Sequence, residues 1–209
     1  FCLEQARGFL TRQRPALLWV QLAHEGQETG LPYGPGLRRF GIDAEQLVIC
    51  RVHTVTELLW AVEEAAGCRA IAAVIADVVQ PGKALDFTVS RRLSMRADAA
   101  GISIFVGRYG TGREASATGL RWRVMPHLSG AAPFDARAPG VPRLAVRLEK
   151  GQALMGLKQG DGDWILNWTD DGFERDTDDR AGLEPPEGRQ TALSGASFAA
   201  LGHRLSQTA

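Results

Sequence analysis

Ala70–Val79 reads AIAAVIADVV, ten residues in which Asp77 is the single polar side chain. The run is too short for a typical helix and shows no alternation of polar and apolar positions. It reads as a strand buried on both faces. Such a strand needs helices above and below it, so the rest of the chain must alternate amphipathic helices with further apolar strands.

It does. Ala16–Leu22 (ALLWVQL), Leu47–Val52 (LVICRV), Ile71–Ala76 and Ile102–Val106 (ISIFV) are the expected strands. Phe1–Gln13 reads as a helix with Phe1, Gln5, Phe9 and Leu10 on one side and Pro15 beyond its end. His24–Gly36 is a Gly- and Pro-broken loop, and Leu37–Phe40 is a helical turn. Val55–Ala66 is the clearest helix. Thr54 and Glu57 have capping-box spacing, Val55, Leu58, Leu59 and Val62 form the stripe, and Gly67 ends it. In the helix Leu85–Ala100, Leu85, Val89, Leu93 and Ala97 recur every four residues before Gly101. The expected class is α/β, a mostly parallel sheet flanked by helices.

The pattern then changes. Leu120–Met125, Leu144–Leu148 and Trp164–Asn167 alternate only partly and sit between Gly/Pro-rich loops, as antiparallel strands on one sheet edge would. Asp170–Gln190 is rich in Asp, Glu, Gly and Pro and reads as a mobile linker. Ser194–Leu205 carries Phe198, Leu201 and Leu205 at helical spacing, either as a helix closing the core or as a docking segment. The expected organisation is a core with edge strands over residues 1–168, a polar linker over 169–193 and a C-terminal helix over 194–209.

Charge is balanced, 24 Lys and Arg against 24 Asp and Glu. Bulk electrostatics therefore favour neither nucleic acid nor membrane, and any DNA contact must be a local patch. Cys2, Cys50 and Cys68 form no CxxC pair and read as buried, reduced thiols of a cytoplasmic protein. His24, His53, His127 and His203 lack ligand spacing, so no metal site is expected. No apolar run reaches the roughly 18 residues of a membrane span, and no signal peptide is evident. The chain starts at Phe1 without Met, so an upstream part is expected to exist.

The order of segments resembles the ATPase core of the RecA recombinase family. LPYGPGLRRFGIDAEQLVICRV parallels its short helix, Gly-hydrophobic-Asp turn and strand. TVSRRLSMRADAAG parallels the helix before its sensing strand. PYGPGL and LRWRVMP resemble the ImuA family of SOS mutagenesis proteins and, for the first, the related SulA division inhibitors. The likeness spans Ala16–Leu128 and implies a RecA-like fold.

A RecA-type ATPase needs a Gly-rich loop ending in Lys-Ser/Thr, a metal-linked acid at a strand end and a carboxylate that polarises water. No GxxxxGK[ST] occurs in these residues. In the resemblance that loop falls just upstream of the Phe1–Gln13 helix, so it is either lost or outside this chain. Asp77 stands where the family has its metal-linked Asp, followed by Val78 in place of a hydroxyl residue. Glu25 or Glu28 stands where the family has its second carboxylate. Gly107 and Arg108 replace the polar Asn-Gln pair that senses the γ-phosphate.

The resemblance therefore implies a non-hydrolytic core without cofactor, its nucleotide positions Glu25, Glu28 and Asp77 vestigial. Two basic groups are candidates for DNA or partner contact: Arg91, Arg92 and Arg96 on the third long helix, and Arg108, Arg113, Arg121 and Arg123 around the loop Gly107–Gly119. Tyr109 or Trp122 suits base stacking there. Solvated surface explains the same arginines equally well. Trp122, Phe198, Leu201 and Leu205 are candidates for partner docking.

The leading reading is an accessory factor in SOS-induced translesion synthesis. The resemblance implies an ImuB-like protein, an error-prone DNA polymerase subunit and RecA as partners, with weak non-specific DNA binding and self-association alongside. A SulA-like inhibitor of FtsZ is the alternative, and an active ATPase with an upstream phosphate loop a third.

Overall fold

The computed structural model describes residues 1–79, 82–110, 114–132, 134–151, 163–169, 172–176 and 196–202, the last as backbone only. Helix α1 is Cys2–Arg7, followed by strand β1 (Ala16–Leu22), α2 (Glu25–Thr29), α3 (Gly34–Arg39) and β2 (Leu47–Val52). Then come α4 (Val55–Ala66), β3 (Ile71–Val78), α5 (Phe87–Ala100) and β4 (Ser103–Tyr109). The second half is all strand: β5 (Arg121–His127), β6 (Ala131–Ala132), β7 (Asp135–Pro139), β8 (Arg143–Lys150), β9 (Asp163–Thr169), β10 (Gly172–Arg175) and β11 (Ala196–Gly202).

Among the described residues, nine strands form one sheet in the order β10-β9-β8-β5-β11-β4-β3-β1-β2, and β6 pairs with β7 apart from it. β2, β1, β3 and β4 run parallel. The remaining pairings are antiparallel. The α/β class with a helix-flanked parallel sheet and antiparallel additions is thus the observed one.

All eight residues of β3 are buried. Their two-residue alternation divides the core. Val74, Ala76 and Val78 join Leu18, Val20, Ile104 and Val106 under α4 and α5. Ala73 and Ile75 join Leu17, Phe105, Trp122 and Trp164 on the opposite face, where Cys2 and Ala6 of α1 pack. Each face is therefore covered by apolar helix surface, the condition that a parallel sheet requires.

The helix ends follow local chemistry. The Thr54 hydroxyl accepts the Glu57 N–H at 3.2 Å, and the Glu57 carboxylate accepts the N–H of His53 at 2.8 Å. The reciprocal cap is present, displaced by one residue from the expected box. α5 starts at Phe87 because the Asp86 carboxylate accepts the Val89 N–H at 2.8 Å. Gly101 closes it in the left-handed conformation, φ 61° and ψ 41°, which glycine adopts at little cost.

Several expectations need correction. α1 ends at Arg7, not Gln13, and the loop at 24–36 contains α2. The helix expected over Ser194–Leu205 is, at residues 196–202, the strand β11, hydrogen-bonded to β4 on one side and β5 on the other. Unpaired backbone groups on both neighbours outweigh the helical spacing of Phe198 and Leu201. Leu205 lies outside the described residues. β10 falls within the segment expected as a polar linker and pairs there with β9, and Cys68, expected to be buried, is exposed. β5, expected as an exposed edge, lies between β11 and β8, and the edges are β2 and β10.

Among the described residues, no helix is long and apolar enough to cross a membrane.

The packing predicts that Leu93→Ala, which empties a fully buried position of α5, costs about 2–5 kcal/mol. Arg91→Ala, exposed on the same helix, is expected to stay within about 0.5 kcal/mol. Urea unfolding of both variants measures the difference.

Candidate functional site

Polar side chains collect where the parallel strands end, on the face shared with α1. Register places Gln21 of β1 beside Asp77 of β3, and Asp77 beside Gly107 of β4. Glu25 opens α2 directly after β1. Gln21, Glu25 and Asp77 are all buried.

Each of these groups has a partner, as burial demands. The Trp19 indole N–H donates to Gln21 Oε1 at 2.7 Å, and Gln21 Nε2 donates to the Gly30 carbonyl at 3.2 Å. Glu25 Oε2 accepts the Val79 N–H at 2.9 Å. The Tyr109 phenol lies close enough to the Asp77 carboxylate for each to shift the other's titration. Any Cβ at position 26 would collide with the Gln21 amide, so glycine lets α2 close over the strand end.

Burial pushes the Asp77 carboxyl up to about 6; the Tyr109 hydrogen bond opposes that and the nearby Glu25 charge adds to it. Burial likewise pushes the Tyr109 phenol up, with the Asp77 charge acting in the same direction. Buried Cys2 lies within the field of Asp77, and its thiol is pushed up to about 12, mainly by burial. A thiol so displaced is a poor nucleophile at neutral pH.

Of the two candidate glutamates, Glu25 is the one brought beside Asp77, whereas Glu28 is exposed on α2. Glu25 and Asp77 bring two carboxylates close together, with Glu25 Oε2 already taken by the Val79 N–H. Among the described residues, no group of three His, Cys, Asp or Glu side chains gathers to hold a metal.

The arginines separate. Arg108 ion-pairs with Glu114. Burial lowers its pKa, and the positive charge of Arg121 lowers it further. Arg121 donates to the Glu114 carbonyl at 2.8 Å and to the Ser116 hydroxyl at 2.6 Å. The following loop is tied to α5 where the Ala117 N–H donates to Ser90 Oγ at 2.9 Å. Arg123 is half-buried within β5, and Arg113 lies outside the described residues. On α5, Arg92 pairs with Glu63 of α4 at 2.6 Å, while Arg91 and Arg96 are exposed. Trp122 is buried, with ring centroids 5.8 Å from Phe1 and 6.3 Å from Trp164. That packing removes it from base stacking and from docking, a correction to both expectations.

Over 160 residues the chain is 30% identical to Protein ImuA of Caulobacter vibrioides, in strain NA1000 / CB15N and equally in strain ATCC 19089 / CIP 103742 / CB 15. The chain is ImuA-like. The match takes in 72% of this chain but 61% of the relatives, so the chain spans about three fifths of their length. No protein-family model matches it.

In this ImuA-like chain, PYGPGL supplies the start of α3, and LRWRVMP is the internal strand β5. The sequence points to Asp77 and leaves Glu25 and Glu28 open for the second carboxylate; it does not point to Gln21, and it offers Tyr109 as a base-stacking residue. A polar residue at an inward position of an otherwise apolar strand was the available signal for Gln21. The pairing of Tyr109 with Asp77 depends on strand register and had none.

The raised Asp77 pKa carries a sign. Unfolded, the group titrates near its ordinary value of about 4. Its ionisation in the fold therefore costs nothing below about pH 4, costs more as pH rises from 4 to 6, and costs its full amount above 6. That amount is on the order of 3 kcal/mol. Asp77→Asn removes the titration, so wild-type stability should fall relative to this variant between pH 4 and 7, with urea unfolding as the measurement. Parallel profiles would remove Asp77 as the cause. Tyr109→Phe, which deletes the donor, should move the wild-type window upward.

Proposed function

We propose that this chain is a non-hydrolytic, RecA-like accessory factor of SOS-induced translesion DNA synthesis, working in the cytoplasm. Its task is to hold components together: an ImuB-like protein, an error-prone polymerase subunit, and RecA or the damaged template. The observation that carries the reading is the internal capture of the two carboxylates. Asp77 is buried beside the Tyr109 phenol, which perturbs its titration, and Glu25 accepts the Val79 N–H. A metal-linked acid and a water-polarising acid must instead present their oxygens to ligand and solvent. The kinship to Protein ImuA supplies the biological setting.

Arg91, Arg92 and Arg96 are the exposed cations among the described candidates, Arg92 being paired with Glu63, and any DNA contact through them would be sequence-blind and steeply salt-dependent. The sequence holds no GxxxxGK[ST] motif to wrap triphosphate. Calorimetric titration with magnesium and ATP is expected to give a dissociation constant weaker than about 1 mM. Micromolar binding would overturn the non-hydrolytic reading. Titration with a labelled ImuB-like protein should saturate, and failure to bind at about 100 µM would sink the bridging role.

A further inference from the structure

The outward side of the helix layer carries features that the site at Asp77 does not use. Trp60 on α4 is 65% exposed and Met95 on α5 is 61% exposed. Around them, charge is segregated by helix. α4, VTELLWAVEEAA, carries Glu57, Glu63 and Glu64 and no Lys or Arg. α5, FTVSRRLSMRADAA, carries Arg91, Arg92 and Arg96 against the single Asp98. Glu57, Glu64, Arg91, Arg92 and Arg96 are exposed. The Glu63–Arg92 ion pair joins the two helices side by side, with the acidic row next to the basic one.

We infer that this face docks a second copy of the chain, α4 of each copy against α5 of the other. Self-complementarity carries the choice of occupant. A two-fold axis along the helices and between them lays the acidic row over the partner's basic row, and the same operation does so a second time. Nucleic acid or an acidic peptide would meet repulsion from Glu57 and Glu64, and a basic partner would meet it from the arginines. The helices run about 18 and 21 Å and pack side by side at about 10 Å. That gives a patch on the scale of a small specific interface. Exposed Trp, Met and Arg are the residue types enriched in such patches. The inference does not rest on the proposed function.

The test is charge reversal with rescue. Sedimentation of the wild-type chain is expected to show a dimer that weakens as salt rises. Glu64→Arg, and separately Arg91→Glu with Arg96→Glu, should each give folded monomers. Mixing the two variants should restore a dimer at least about tenfold tighter than either forms alone. Glu57 is left in place because its carboxylate accepts the His53 N–H and caps α4. A wild-type monomer at about 100 µM, a dimer insensitive to both reversals, or a mixture that stays monomeric would each overturn the inference. The second of these outcomes would move association to another surface, and binding of an ImuB-like protein in competition with a monomer would assign the face to that partner instead.

Discussion

Everything in this fold depends on a strand that has no solvent side. Each residue of β3 is buried, so both rows of its side chains need apolar cover, from α4 and α5 on one face and α1 on the other. That requirement fixes the layer order and confines polar chemistry to the strand's end. Asp77 is tolerated there because Tyr109 and the turn after β1 close around it. A carboxylate two residues earlier would face Ile75's apolar surroundings with no donor in reach, at a cost of several kcal/mol.

The parallel half was legible because its signals are local. Apolar runs without alternation can only be doubly covered strands, and Thr54 and Gly101 terminate helices by interactions spanning three or four residues. The far half was less so. Phe198 and Leu201 have helical spacing, yet the backbone there pairs as β11 with β4 and β5. Trp122 looked like part of an edge because nothing in its own segment announces β8 and β11 as neighbours. Long-range backbone pairing decides both positions, and no window of ten residues contains it.

The same division holds at the site. Asp77 stands out as a charge in an apolar run, and Glu25 follows a strand end, so both are visible in sequence. The choice of Glu25 over Glu28 needed the turn of α2, which buries the first and exposes the second. Arg108 and Arg121 looked like a pair of free cations beside glycines. In the fold their guanidinium groups converge on Glu114 and Ser116, and their charge serves mainly to shape the loop.

β2 ends the parallel half, and among the described residues no strand pairs with its outer side. Val48 and Ile49 are both partly exposed there. The one charge on the strand is Arg51, whose guanidinium leans back onto the Ala23 carbonyl at 3.0 Å. An open row of backbone donors and acceptors next to apolar side chains is the kind of border at which stray chains stack. A lysine at position 48 would add the missing guard without touching the core, and is expected to raise the concentration at which the protein begins to cloud.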